Sequence, residues 1–192
     1  MKAKKRELRL SVQEMNEEIP REEHAERSNR VADRLYDFAN FVESKTILLY
    51  WSMDGEVDTR PIIRHCLDIG KIVLLPALNV KQQELVPFKI DDMDKDLREG
   101  FGGRMEPDPR RCKLVPHKFV DLGIIQGVAF DERGGRLGTG DGLYDRLIPR
   151  LPVTTRKVAL ALESQLVNQV PMESHDKYVD IIITEDRIIY KI

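Results

Sequence analysis

The chain has 192 residues, of which 33% are charged and 41% are hydrophobic, and its formal net charge is -2 at pH 7. This balance predicts one globular domain over residues 1–192, and the near-neutral charge argues against nucleic acid or an anionic membrane as a partner. No apolar run reaches the roughly 18 residues of a membrane span, no signal peptide follows the basic start, and the two cysteines form no CxxC pair, so we expect a cytoplasmic protein with reduced thiols.

Two helices are predicted before the first strand. Good helix formers fill residues 2 to about 18, and Pro20 suits the first turn of a second helix that runs to about Phe41. The apolar stripe of the first helix consists of Leu8, Val12 and Met15. We expect residues 1–42 to pack as N-terminal helices on an α/β core.

Two cations of the first helix, Lys5 and Arg9, lie four residues apart and therefore share one face. Their positions allow two interpretations. They either belong to a solvated helix start or clamp an anion between them.

Apolar runs predict the strands of the core. They cover residues 46–50, 71–76, 84–90, 122–130, 156–162 and 179–184, and residues 187–190 return as a hairpin. A helix with Pro61 in its first turn separates the first two strands, which is the order of a parallel crossover. The sequence therefore predicts an α/β fold, a single three-layer domain with a mostly parallel central sheet, flanking helices and a C-terminal hairpin.

Residues 91–121 are the most irregular part of the chain. Glycines and prolines interrupt every pattern there, which predicts a long ordered loop, a mobile lid or disorder. Residues 163–176 also lack periodicity and are predicted to form a loop.

The most informative stretch is residues 134–146, with the sequence GGRLGTGDGLYDR. Alternating glycines at Gly138, Gly140 and Gly142 let backbone N–H groups turn into one concavity that suits phosphate oxygens. A helix is predicted to follow, and its free N–H groups favour an anion. The spacing matches neither the dinucleotide fingerprint nor the Walker A loop, so a structural turn is an equal alternative.

Charged side chains flank these glycines. Arg136 and Arg146 place a cation at either end, and we predict both to be catalytic. Asp145 supplies a carboxylate that can hold a divalent metal.

The loop after the first strand carries Trp51 and Glu56, at the sheet edge where α/β folds bind ligands. Trp51 is either a core residue or a stacking surface for a flat ligand. Glu56 is either a surface acid or a polar contact for a ligand.

Four signatures occur in one order along the chain. They are KRELR at residues 5–9, GEVDT at 55–59, GVAFD with RLGTGDGLYDR within 127–146, and a terminal pattern of Gln165, Pro171, His175-Asp176, Val179-Asp180 and Thr184-Glu185. With these signatures the chain resembles the 5-formyltetrahydrofolate cyclo-ligase family, also called methenyltetrahydrofolate synthetase. The resemblance covers nearly the whole chain and is most specific at the glycines followed by Tyr-Asp-Arg.

The resemblance implies an ATP- and magnesium-dependent reaction on a reduced folate. The formyl oxygen of 5-formyltetrahydrofolate is phosphorylated, N10 closes onto the activated carbon, and phosphate leaves to give 5,10-methenyltetrahydrofolate. Such phosphoryl transfer asks the protein mainly for positioning and charge neutralisation. We expect a monomer that binds ATP and folate.

The resemblance also assigns roles to individual residues. Those implied to bind ATP are Lys5, Arg9, Gly138, Thr139, Gly140, Asp141 and Gly142. Those implied to bind folate are Trp51, Glu56, Glu106 and Tyr144. The implied magnesium ligands are Asp145 and Asp176.

Four positions depart from the family pattern. Thr139 and Leu143 replace tyrosines, Asp141 stands where a small or basic residue is common, and Gln126 replaces a proline. Two further hypotheses follow, a non-catalytic nucleotide- or folate-binding paralogue and an ATP-dependent enzyme for another small substrate. The implied metal and phosphate ligands Lys5, Arg9, Asp145 and Asp176 favour an enzyme, because a pure folate binder has little use for them.

Overall fold

The computed structural model describes residues 1–191, apart from the side chain of Phe101. The α-helices are α1 (Lys2–Glu17), α2 (Arg21–Tyr36), α3 (Ala39–Glu43), α4 (Arg60–Asp68) and α5 (Leu143–Leu147). The strands are β1 (Thr46–Leu48), β2 (Ile72–Asn79), β3 (Glu84–Ile90), β4 (Leu97–Glu99), β5 (Met105–Pro107), β6 (Lys113–Leu114), β7 (Leu122–Ile124), β8 (Ala129–Phe130), β9 (Arg136–Leu137), β10 (Arg156–Leu160), β11 (Ile181–Ile183) and β12 (Ile188–Tyr190).

Eight strands form the central sheet in the order β12-β11-β10-β7-β1-β2-β3-β6. The strands from β11 to β2 run parallel, whereas β12, β3 and β6 are antiparallel to their neighbours. In the centre, Ile47 pairs with Val73 on one side and Leu122 on the other. Parallel strands are covered on both faces, so their sequences are almost continuously apolar. The predicted α/β fold, with its mostly parallel sheet and C-terminal hairpin, is confirmed.

Helical layers cover the two faces of the sheet. On one face, Leu35 of α2 and Ile62 of α4 pack in the same core as Ile47. On the other face, Tyr144 of α5 packs in a second core with Leu48. Successive side chains of a strand point to opposite faces, and Ile47 and Leu48 therefore belong to different cores.

Helix α1 packs away from the sheet, on the two-stranded ribbon of β8 and β9. The buried residues around Val12 are Ala129, Leu137 and Val170. Met15 was predicted to share this stripe and is 42% exposed. The buried position belongs to Asn16, whose side chain donates to the Gly55 carbonyl and accepts from the Ser164 hydroxyl. The prediction was wrong at Met15 because polar loop backbone, not an apolar surface, faces this end of the helix.

Three predicted segments differ from the structure. The second helix is split into α2 and α3. Residues 122–130 form two strands, because the chain leaves the sheet after Ile125 and β8 then pairs with β9. Residues 91–121 are an ordered segment that contains the β4–β5 ribbon and the sheet-edge strand β6.

Candidate active site

The glycine stretch consists of a buried half, residues 134–137, and an exposed tip, residues 138–142. Gly134 and Gly135 lie in the turn between β8 and β9, where the Asp131 carboxylate accepts the Gly135 N–H at 2.9 Å. Helix α5 begins directly after the tip and is five residues long. The predicted passage from a strand through a loop to a helix is therefore a β-hairpin followed by a short helix.

Positive φ angles shape the exposed tip. Gly140 has φ +107° and Gly142 has φ +69°, conformations that favour glycine. The Asp141 carboxylate accepts the Leu143 N–H at 3.0 Å and the Thr139 hydroxyl at 2.9 Å. One donor at the start of α5, predicted to face an anion, is thus used by Asp141.

A buried ion pair lies beneath the tip. Arg136 Nη2 is 2.6 Å from Asp145 Oδ1, and the Arg136 side chain is 1% exposed. Arg136 also donates to the carbonyl oxygens of Gln126 at 3.0 Å and Lys177 at 3.4 Å, and the Lys177 N–H donates to Asp145 at 2.9 Å. Through the ion pair, Arg136 holds the Asp145 carboxylate in place. A catalytic role for Arg136 and a metal-binding role for Asp145 stay predictions.

The cation at the far end of the stretch, Arg146, is exposed and joins two loops. Its Nε donates to the Gln83 carbonyl at 2.7 Å, and its Nη2 donates to the Asp141 carbonyl at 3.1 Å. The exposed tip is therefore connected to the turn between β2 and β3. Its predicted catalytic role is likewise untested.

Both predicted cations of α1 reach the site. Lys5 Nζ lies 2.5 Å from Asp176 Oδ2 and 2.9 Å from Glu173 Oε2. Burial lowers the pKa of Lys5, but its bonds to the two carboxylates outweigh burial and raise that pKa overall. Burial raises the pKa of Asp176, but the hydrogen bonds from Lys5 and the Glu173 N–H, together with the charges of Lys5 and His175, lower that pKa overall. Arg9 Nε donates to the Gly138 carbonyl at 2.7 Å, so α1 is bonded directly to the exposed tip.

Asp176 belongs to a group of possible metal ligands. A carboxylate oxygen of Glu173, a ring nitrogen of His175 and a carboxylate oxygen of Asp176 lie within 4.8 Å of one another. Asp145 is not part of this group, but it accepts the N–H of Lys177, the residue that follows Asp176. The two predicted metal carboxylates are thus joined through one backbone amide.

A cavity of about 840 Å³ opens between α1, α2 and the loop after β1. Two residues with predicted site roles line it, Glu56 and Thr139. The other charged or polar residues in its wall are Gln13, Asn16, Glu17, Arg21, His24, Ser52, Asp54, Asp58, Arg60, Arg104 and Gln165. The cavity therefore adjoins both the exposed tip and the loop that carries the predicted substrate-binding acid.

Glu56 is held from two sides in the cavity wall. Its Oε2 accepts the Met53 N–H at 2.8 Å, and its Oε1 accepts the side-chain N–H of Gln126. Burial raises the pKa of the Glu56 carboxyl, and the two hydrogen bonds and the charge of Arg104 offset part of that rise. Arg104 in turn donates to Gln126 Oε1 at 3.1 Å.

The other three residues predicted to bind folate are not among the described residues that line the cavity. Trp51 is half-buried and packs on the core beneath α2 and α4. Tyr144 is 6% exposed, and the Arg136 guanidinium lies 6.0 Å from its ring centroid. Glu106 accepts the Leu78 N–H and an Arg98 N–H, both at 3.1 Å. Their folate-binding roles stay predictions.

Sequence reasoning missed Arg104 and gave Gln126 no role. Arg104 lies between the turn at Phe101–Gly103 and β5, and the ribbon of β4 and β5 carries it to the cavity. A single cation inside a glycine-rich run was the available signal. Gln126 was visible only as a departure from the family pattern.

Comparison with known proteins decides the family. The model of the 5-formyltetrahydrofolate cyclo-ligase family matches residues 1–185. The chain belongs to the 5-formyltetrahydrofolate cyclo-ligase family.

Cyclo-ligases from distant organisms resemble this family member over most of their length. The 5-formyltetrahydrofolate cyclo-ligase of Escherichia coli K12 is 30% identical, over 87% of this chain and 92% of its own. A probable 5-formyltetrahydrofolate cyclo-ligase of Caenorhabditis elegans is 29% identical, over 98% of this chain and 96% of its own. The chain is thus similar to whole cyclo-ligases and not to one part of them.

Solved structures show the same cyclo-ligase fold. The 5,10-methenyltetrahydrofolate synthetase of Aquifex aeolicus superposes with a TM-score of 0.86 at 33% identity, covering 97% of this chain and 92% of that one. The synthetase of Mycoplasma pneumoniae superposes with a TM-score of 0.75 at 18% identity, covering 94% and 98%, and supports the fold alone.

Proposed function

We propose that this cyclo-ligase family member converts 5-formyltetrahydrofolate to 5,10-methenyltetrahydrofolate with consumption of ATP, in the presence of magnesium, and release of ADP and phosphate. One observation carries the proposal. Glu56, predicted for the folate side, and Thr139 of the exposed tip, predicted for the ATP side, line the same cavity. A reaction between two substrates requires both to be held within one site.

The exposed tip fits the phosphates of ATP. A Cβ on Gly138 would lie 2.8 Å from Arg136 Nη1, and one on Gly140 would lie 3.5 Å from the Arg9 guanidinium. Glycine at these positions lets the tip backbone run close to two cations. We propose that Arg9 and the tip N–H groups bind the phosphates, and that Arg136 holds the tip and Asp145 in position from below.

We propose that carboxylates near the tip bind a magnesium ion. Asp176 and Asp145 would hold it, since carboxylate oxygens are the ligands that Mg²⁺ prefers. When bound, the ion would neutralise charge on the transferred phosphoryl group. Lys5 keeps Asp176 ionised and oriented, because its ammonium lies 2.5 Å from that carboxylate.

On the folate side, we propose that Glu56 contacts the substrate and that Trp51 supports the loop carrying Glu56. The half-buried Trp51 packs on the core directly before this loop. The tight hold on Glu56 by Met53 and Gln126 fixes an acceptor at one place in the wall.

The absorbance of 5,10-methenyltetrahydrofolate tests the proposal. We expect product from 5-formyltetrahydrofolate only when ATP and magnesium are both present. ATP binding without product would favour the non-catalytic paralogue. ATP hydrolysis that 5-formyltetrahydrofolate does not stimulate would favour an enzyme for another small substrate.

We further propose a cytoplasmic monomer in which residues 1–192 act as one domain. Within residues 1–191, no helix is long and apolar enough to cross a membrane. Light scattering should give the monomer mass, and thermal unfolding should show one cooperative transition. Cell fractionation tests the location.

A further inference from the structure

A buried glutamine connects two charged side chains in the cavity wall. Gln126 is 2% exposed. Its amide N–H donates to Glu56 Oε1, and its amide oxygen accepts from Arg104 Nη1 at 3.1 Å. A carboxylate only accepts hydrogen bonds and a guanidinium only donates them, so a single orientation of the amide satisfies both partners.

The backbone of Gln126 is fixed as well. Its carbonyl oxygen accepts from Arg136 Nη1 at 3.0 Å, so the residue is bonded to the base of the glycine stretch. The backbone of Gln126 is therefore held in place. Its side-chain amide in turn holds the two charged groups at fixed positions relative to that backbone.

Both charged groups keep hydrogen-bonding capacity toward the cavity. A carboxylate offers about four lone-pair sites, and the hydrogen bonds to Glu56 come from Met53 and Gln126. A guanidinium has about five N–H donors, and within residues 1–191 the Arg104 side chain uses one of them, toward Gln126. Glu56 and Arg104 both line the cavity.

The partners of Gln126 differ from those of another buried glutamine close by. Gln165 is 3% exposed, and its side chain bonds to backbone groups, the Val128 carbonyl at 3.0 Å and the Leu162 N–H at 2.9 Å. Such bonds hold loops together. Gln126 instead bonds to two charged side chains that line the cavity, and such contacts between charged groups are weak evidence for a stabilising role.

We infer that Gln126 is a positioning residue that holds Glu56 and Arg104 side by side, as an acceptor and a donor for the substrate. The inference rests on the proposed function. The amide of Gln126 holds the two groups next to each other, so that an acceptor and a donor lie side by side. A ring that carries an N–H beside a C=O, as a reduced pteridine does, calls for such a pair. Arg104 is accordingly a substrate-contacting residue for the folate and not for ATP.

Replacement of the amide tests the inference. Gln126→Met keeps the length of the side chain and removes both hydrogen bonds. We expect the KM for 5-formyltetrahydrofolate to rise about tenfold or more, because a hydrogen bond to a charged group is lost on each side. The KM for ATP should stay within about twofold, since the side chain does not contact the exposed tip.

A double variant tests whether Gln126 acts through Arg104. Arg104→Met should raise the same KM, and Gln126→Met/Arg104→Met should be no worse than the more damaged single variant. Multiplied losses in the double variant would overturn the inference. So would a wild-type KM for folate in Gln126→Met, or equal rises for folate and ATP.

Thr155→Val is the matched control for loss of a buried hydrogen bond. Thr155 is 1% exposed and donates to the Val120 carbonyl at 2.6 Å, before β10 and at the opposite end of the sheet from the cavity loops. We expect a lower Tm with both KM values unchanged. If Thr155→Val raised the folate KM as much as Gln126→Met does, a general loss of stability would explain both, and the inference would fail.

Calorimetric binding of 5-formyltetrahydrofolate without ATP separates this inference from the proposed function. If the wild type binds the folate but forms no product, and Gln126→Met weakens binding about tenfold, the inference stands and the proposed function fails. If the wild type neither binds nor converts it, both fail. If the wild type converts it and Gln126→Met binds as tightly, the inference alone fails.

Discussion

The buried half and the exposed tip of the glycine stretch use the same residue type for different reasons. In the buried half, a Cβ on Gly134 would lie 2.4 Å from the Val179 carbonyl oxygen, and one on Gly135 would lie 2.4 Å from Asp131 Oδ2. At the tip, the atom nearest to a Cβ on Gly140 is 3.5 Å away, but φ is +107°. At Gly134 and Gly135 there is no room for a Cβ, whereas at Gly140 there is room and the backbone angle is what requires glycine. One motif thus combines a packing requirement with a conformational one.

The largest loss of stability is expected when the cation of the buried half, Arg136, is removed. Arg136→Met leaves the Asp145 carboxylate without its partner, and we expect the free energy of unfolding to fall by about 3–5 kcal/mol. Urea denaturation measures this. Arg146→Met, at the exposed end, should change stability by no more than about 0.5 kcal/mol. Equal effects of the two substitutions would remove the distinction between the halves.

Crowding in the buried half is tested by Gly134→Ala. We expect a loss of about 3 kcal/mol, because a positive φ and a clash with the backbone at Val179 act together. Gly70→Ala is the matched control, since Gly70 has φ +77° and nothing within 4 Å of the added Cβ. It should cost about 1 kcal/mol. If Gly134→Ala cost no more than Gly70→Ala, strain and not packing would explain the buried glycine.

At the exposed tip, we expect a substitution to reduce activity more than stability. Gly140→Ala should cost about 1 kcal/mol of stability, yet lower kcat/KM for ATP by about 100-fold, because small displacements of phosphate donors are costly. Steady-state kinetics and denaturation of the same preparation give both numbers. Unchanged ATP affinity would support a structural turn in place of a phosphate site.

A small change in stability is also expected for Arg9→Ala. Arg9 bonds to the Gly138 carbonyl, and we expect an effect on stability below about 1 kcal/mol. The KM for ATP should nevertheless rise about tenfold if Arg9 binds phosphate. Arg6→Ala, an exposed neighbour on the same helix, is the control. Wild-type kinetics in Arg9→Ala would leave it a contact between α1 and the tip.

Much of the fold was readable because it depends on local pattern. The parallel strands, α4 and the C-terminal hairpin follow apolar runs and turn residues that are adjacent in sequence. The split of residues 122–130 was not readable, since the apolar run continues while the chain leaves the sheet at Gln126 and Gly127. Its hydrogen bonds with β9 and its bridge to Leu166 show where the second strand belongs.

The site shows the same division. Short motifs singled out Lys5, Arg9 and the glycines, and the structure brings Arg9 into contact with Gly138. Arg104 was missed because the β4–β5 ribbon brings it to the cavity, and nothing near it in sequence specifies that placement. The ion pair between Arg136 and Asp145 could not be predicted either, because a sequence shows a cation but not its partner.

The contacts of α1 also bear on the order of folding. Lys5 and Arg9 bond to residues that come 171 and 129 positions later in the chain. Contacts between residues so distant in sequence form late, because the chain loses entropy on closing the loop before any contact compensates. Although α1 precedes the sheet in the chain, it should therefore dock last, after the sheet has formed. Val12→Ala should speed unfolding and leave the refolding rate almost unchanged, a φ-value near zero in stopped-flow kinetics. A refolding rate that fell in proportion to the lost stability would instead place α1 in the folding nucleus.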